Sequence, residues 1–171
     1  MSKKTNSEVL QEIFRHNLWA NQAILEACKD LDDELLDAES STGVGSIRET
    51  LLHIAANEEG YVALVAGDEP SSSLRDFDEV PGFDVIGERL FGSGTAFIDL
   101  ADQLDAETTV TATFEDAEWQ IRAMVPLIQA INHGTEHREQ IKSMMTAAGI
   151  TPPTIDLWAY SAGHGYLQMV G

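Results

Sequence analysis

Residues 46–67 read SIRETLLHIAANEEGYVALVAG. Apolar side chains recur at Ile47, Leu51, Ile54, Tyr61, Val62 and Val65, the spacing of one broad face of an α-helix. Ser46 with Glu49 three residues on forms a capping-box pattern, and Gly67 suits the left-handed position after a helix end. The stretch therefore predicts a helix from Ser46 to about Ala66 with both ends marked. Two groups interrupt its apolar arc. Glu58 falls near the centre, where an unpaired carboxylate is costly, and His53 sits at the edge.

The same period extends to either side. From about residue 6 to 30, Leu10, Ile13, Phe14, Leu18, Ile24 and Leu25 share a face that also carries Asn17, Asn21 and Cys28, so two inward asparagines need partners. An acidic, turn-rich connection, DLDDELLDAESSTGVG, leads to the helix at Ser46, and GDEPSSSLRDFDEVPG reads as the loop after it. A third helical pattern runs from about Asp84 to Leu104, weakened by Gly87, Gly92 and Gly94. TTVTATFEDAEWQIRA alternates as two short strands around an acidic turn. A fourth helix is predicted from near Pro126 to about Ala148, stopped by Gly149, Pro152 and Pro153, and a short last helix from Thr154 with Asp156 in its first turn. Four long amphipathic helices around one core make an all-α four-helix bundle, with a short hairpin before the fourth helix and a short C-terminal helix. At 171 residues the chain is expected to form a single domain over 1–171.

Composition narrows the classes of partner. Asp and Glu number 29 against 10 Lys and Arg, for a formal net charge of -19. Nucleic-acid binding draws its affinity from cations that neutralise phosphate, so direct DNA or RNA binding is not expected, nor is docking on anionic lipid. A high-salt habitat would favour the same acidic surface. No run approaches the roughly 20 apolar residues of a membrane span, and the basic tip MSKK lacks a following signal-peptide run. One cysteine, Cys28, suits a reducing compartment, and a cytoplasmic location is the expectation.

Chemistry concentrates in INHGTEHREQI, residues 131–141, where His133 and His137 lie one helical turn apart. That is the spacing by which one rigid element offers two imidazoles to a divalent metal; a polar or capping role is the other reading. His53 on a facing helix would complete a set of three nitrogen ligands with an open position, or would be a half-buried histidine bonded to a backbone carbonyl. Glu58 either orients a ligand histidine or pairs with Arg15, Arg48 or Arg138. Gln140 shares the face of His133, while Arg138 and Glu139 point elsewhere, toward packing or surface pairs. His16 lacks a companion at ligand spacing, His164 in SAGHGY reads as a mobile tail residue, and Cys28 as a small buried side chain. There is no phosphate loop, nucleophile elbow or dinucleotide fingerprint.

HNLWANQAIL, GSIRETLLHIAANEEGYVALVAG, INHGTEHREQI and AAGITPPTIDLWAY, in this order, resemble the DinB (YfiT-like) superfamily of metal-dependent four-helix-bundle proteins over most of the chain. The resemblance implies a bundle, often a homodimer, whose three histidines bind a divalent ion at positions matching His53, His133 and His137. Glu136 stands where many members carry another histidine, a position outside the ligand set. Zinc or nickel is the expected ion, with iron, cobalt or copper also compatible with three imidazoles. Similar proteins include transferases and an isomerase that use bacillithiol or mycothiol, in which the metal lowers the pKa of a low-molecular-weight thiol and presents a thiolate to an electrophile. The resemblance thus points to a small-thiol S-transferase acting on a small-molecule substrate. A hydrolase in which the cation activates water is the alternative, and a non-catalytic, stress-induced metal-binding protein a third reading. Glu58, Gln140, Asn17 and Asn21 are the candidate residues around the ligands.

Overall fold

The computed structural model describes residues 3–40, 44–68, 79–105 and 107–170. The elements in chain order are α1 (Lys3–Lys29), α2 (Asp33–Leu36), α3 (Ile47–Ala66), α4 (Phe83–Gln103), β1 (Thr109–Phe114), β2 (Ala117–Arg122), α5 (Met124–Ala147) and α6 (Leu157–Gly163). The four long helices form the bundle: α1 packs on α4, α4 on α3, α3 on α5, and α5 returns to α1. The third and fourth helices read from the sequence are α4 and α5.

Local chemistry explains the ends. Ser46 Oγ accepts from the Glu49 N–H at 3.2 Å while Glu49 Oε2 accepts from the Ser46 N–H at 2.7 Å, the reciprocal cap read from the sequence. Gly67 closes α3 with φ +77°, in the region that favours glycine. The loop expected over residues 67–82 lies largely outside the described residues. The helix α4 is unbroken despite its glycines, and Gly94 shows why such a residue is kept. A Cβ there would stand 2.7 Å from Leu18 Cδ1, so α1 and α4 approach at a point where only hydrogen fits.

Three boundaries differ from expectation. The acidic connection after α1 contains the short α2, which buries Leu36 and is held by Arg48 on Asp33 and on Asp37 at 2.8 Å. The bundle's last long helix starts at Met124, not Pro126; Pro126 then sits in the first turn, where a missing N–H breaks no bond. The last helix starts at Leu157, not Thr154. Asp156 is its N-cap, accepting from the Ala159 N–H at 2.8 Å, and the buried Ile155 is held outside the helix because its carbonyl accepts from His16 Nε2 at 2.9 Å.

Two-residue connection Glu115-Asp116 joins β1 to β2, both residues at positive φ, as a tight turn between right-twisted antiparallel strands requires. No described helix is long and apolar enough to cross a membrane.

The core has two apolar clusters. One gathers Ile24, Ile54, Leu90 and Ile141; the other gathers Phe14, Val65, Phe97 and Ala130, with Phe14 and Phe97 stacked at 4.9 Å. Along α1 and α5 the Phe14–Ala130 cluster comes first, whereas along α3 and α4 the other does, so the two pairs run in opposite directions. Between the clusters every long helix contributes polar groups: Asn17 and Asn21 from α1, Glu58 from α3, Ser93 from α4 and Arg138 from α5, all buried.

Candidate metal centre

His133 and His137 lie on the face of α5 that meets α3, and His53 lies on the facing turn of α3. The ring centroids are 4.8 Å apart for His53 and His133, 4.6 Å for His53 and His137, and 4.3 Å for His133 and His137. One nitrogen from each ring falls within 4.8 Å of the others, which makes a group that can hold a metal ion. His53 Nε2 and His133 Nε2 are 3.0 Å apart. Two imidazoles on one ion at about 2.1 Å place their nitrogens roughly 3.0 to 3.4 Å apart, so the spacing suits a shared cation.

The electrostatics favour neutral rings. Burial, with the charge of His137 next, holds His53 below the ordinary histidine value. Burial, followed by the charges of His137 and His53, holds His133 down to about 4. Three bases in contact cannot all be protonated without repulsion, and neutral imidazole is the form that binds a metal. Among the described residues His133 Nδ1 is buried with no hydrogen-bond partner, while its Nε2 is the nitrogen that faces His53.

The surroundings orient two of the rings. His137 Nδ1 donates to Gln140 Oε1 at 2.8 Å, which leaves Nε2 with its lone pair. Asn57 Nδ2 donates to the His53 carbonyl at 2.8 Å and lies 3.3 Å from ring Nδ1, a neighbour that the sequence reading did not single out. Its position one turn after His53 on α3 was the available signal. Tyr61 stands edge-on to His133 at 6.1 Å between centroids. His53 and His137 are half-buried and His133 is buried, so the cluster opens to solvent on one side.

Asn17, Asn21 and Glu58 belong to the polar layer. Glu58 Oε1 accepts from Asn17 Nδ2 at 2.7 Å and from Asn21 Nδ2 at 2.9 Å, and Oε2 accepts from Ser93 Oγ at 3.0 Å. Arg138 Nη1 donates to Asn17 Oδ1 at 2.9 Å and to Asn21 Oδ1 at 2.6 Å, and Nη2 donates to Thr135 Oγ1 at 3.1 Å. Each asparagine therefore links the carboxylate to the guanidinium. Burial raises the Glu58 carboxyl against the pull of these donors, and burial lowers Arg138 to about 10. Among the described residues the bonds of Glu58 run to this layer and not to a histidine ring. Arg15 pairs instead with Glu12, and Arg48 with Asp33 and Asp37. Expectation gave Arg138 two places, as one of three arginines that could face Glu58 or in packing and surface pairs. It is 2% exposed and central to the layer, whereas Glu139 does pair at the surface, with Lys142 at 2.6 Å.

The remaining candidates are accounted for elsewhere. Cys28 is fully buried, and burial pushes its thiol up to about 12, far from a nucleophile. His164, expected to be a loose tail residue, stacks on Tyr160 at 4.0 Å and donates from Nδ1 to the Tyr160 carbonyl at 2.7 Å.

The DinB family model matches residues 1–166. Among curated proteins the chain is similar to the protein DinB of Bacillus subtilis (strain 168), 23% identical over 164 residues, spanning 90% of this chain and 94% of that protein.

Proposed function

The chain belongs to the DinB family, and from that premise we propose that it is a metal-dependent enzyme in which His53, His133 and His137 hold one divalent cation for transfer of a small thiol to an electrophilic substrate. The observation that carries this reading is the convergence of three ring nitrogens within 4.8 Å while two of the rings remain half-exposed. A structural zinc ion is closed by four protein ligands, whereas three ligands and an open side are the pattern of catalytic sites. Among the described residues no cysteine or carboxylate joins the three rings as a fourth member.

The residues divide the work. His133 and His137 fix two donors on one rigid turn, and His53 brings the third from the opposite helix. Gln140 keeps the Nδ1 hydrogen of His137 and so turns Nε2 toward the common point. Burial keeps His53 and His133 neutral near pH 7. A divalent cation held by His53, His133 and His137 would lower the pKa of a thiol or water that reached it and so would supply a nucleophile at neutral pH. Imidazole donors suit zinc and nickel, the two ions we favour. The same reading takes the chain as a single domain that works as a cytoplasmic homodimer, a state that sedimentation equilibrium checks.

The test is a thiol-consumption assay over a panel of electrophiles with zinc-loaded and nickel-loaded protein, using bacillithiol and mycothiol as donors and His137→Ala as control. Turnover that needs both metal and thiol, and is absent from the control, is the expected result. Ester or amide cleavage without thiol would move the assignment to a hydrolase. Metal binding with no turnover on any electrophile would make the chain a metal-binding protein and end the transferase reading.

A further inference from the structure

We propose that the buried polar layer is the device that sets the separation between His53 on α3 and His133 and His137 on α5, so that Glu58, Asn17, Asn21 and Arg138 act as positioning residues for the cation site. This rests on the three-histidine reading. Apolar contacts tolerate small slides of one helix along another, because dispersion is weak and non-directional per atom pair. Hydrogen bonds do not, since they weaken steeply with distance and angle. A metal site needs its donors within about 0.2 Å of their proper distances, a tolerance that the two apolar clusters alone do not enforce.

The layer is placed to meet that need. Its two charged members stand on the two helices that carry the ligands, Glu58 five residues after His53 and Arg138 directly after His137. They join through the asparagine pair of α1, each amide donating to one and accepting from the other. The layer also reaches the ligand turn itself. A Cβ on Gly134, between His133 and His137, would come 2.8 Å from Arg138 Nη1 and 3.3 Å from Asn17 Oδ1. The guanidinium and an asparagine oxygen thus lie against the α5 backbone between the two ligands. An apolar layer of similar volume would fold the same bundle at equal or lower cost. What the charged layer adds is a unique height for α3 against α5.

Cobalt binding tests the inference, because the ligand-field absorption of Co²⁺ reports donor geometry without any activity. Parent, Arg138→Met, Gly134→Ala and Leu36→Ala are titrated with Co²⁺ well below each melting temperature. Leu36 is a buried core residue at the end of α2, outside the layer, and supplies a comparator that loses core packing without touching the layer. We expect a parent spectrum with one Co²⁺ per chain, retained by Leu36→Ala, while Arg138→Met and Gly134→Ala lose about tenfold or more in affinity and shift the absorption bands. Gly134→Ala alone decides the matter if Arg138→Met does not fold. Identical spectra and affinities in the layer variants, or an equal loss in Leu36→Ala, would overturn the positioning role and leave the three-histidine site standing. A parent without cobalt absorption would overturn the site and, with it, the positioning role.

Discussion

Replacing Arg138 by Leu should be the most damaging single change in the bundle outside the apolar core. The substitution removes the donors that reach Asn17 Oδ1, Asn21 Oδ1 and Thr135 Oγ1, and it takes away the opposite charge that faces Glu58 through the asparagines. Each buried acceptor left bare costs about 1 to 3 kcal/mol. The sum is not reached in full, because Glu58 can take up a proton and escape as a neutral acid, a step that its raised pKa already favours. Glu58 and Arg138 meet through the asparagines and not directly, so removing the guanidinium leaves the buried carboxylate uncompensated; the cost approaches that of a broken buried pair, about 3 to 5 kcal/mol, which for a chain of this size lowers the melting temperature by roughly 6 to 20 °C. The escape route has a signature in pH. In the variant the folded state binds a proton at Glu58 that the unfolded chain releases, so the variant regains stability as pH falls through the folded value toward the ordinary carboxyl range. Urea unfolding of metal-free parent and variant at pH 7.5 and 5.5 measures both effects. The stability gap should be large at pH 7.5 and narrower at pH 5.5. A gap below about 1 kcal/mol, the worth of one ordinary hydrogen bond, or one that widens with acid, would refute the reasoning.

Two glycines of α4 should answer oppositely to alanine. Gly92 has open space where a Cβ would go, so Gly92→Ala should stabilise by about 0.5 to 1 kcal/mol, whereas Gly94→Ala meets Leu18 at 2.7 Å and should cost about 1 to 3 kcal/mol; thermal melts of the pair check the contrast. In the metal-free protein the depressed pKa values of His53 and His133 mean that, below about pH 6.5, the unfolded chain takes protons which the folded cluster refuses. Stability should therefore fall as pH drops from about 6.5 toward about 4, and the triple His53, His133, His137→Ala variant should lack most of that slope in denaturant titrations. An equal slope in both proteins would place the titrating groups elsewhere.

Much of the architecture was legible because each long helix carries an apolar stripe, and α3 also carries chemical end markers at Ser46, Glu49 and Gly67. Helix ends without such markers were misplaced, by two residues at Met124 and by three at Leu157. Asp156, read from the sequence as a first-turn residue, is the true cap of α6, because the Ile155 carbonyl before it is taken by His16. At the site the pair His133 and His137 was readable from spacing alone, whereas the approach of His53 depends on which helices face one another. The wheel of α1 and the arc of α3 correctly turned Asn17, Asn21 and Glu58 inward, two amides with no named partner and a carboxylate for which a ligand histidine, Arg15, Arg48 or Arg138 was open. That they satisfy one another, with Arg138 as the fourth member, is a tertiary fact. Its faint trace in the sequence is Gly134, which lies one turn before Arg138 and leaves the room that its side chain occupies.

Elemental analysis of untagged protein, followed by zinc titration of the metal-free form, tests most directly whether three imidazoles from two helices share one cation. The account predicts one divalent ion per chain, and loss of that ion in His53→Ala, His133→Ala and His137→Ala alike, with the helical content of each variant retained. Parent protein that binds no ion, or single variants that bind zinc as the parent does, would contradict it.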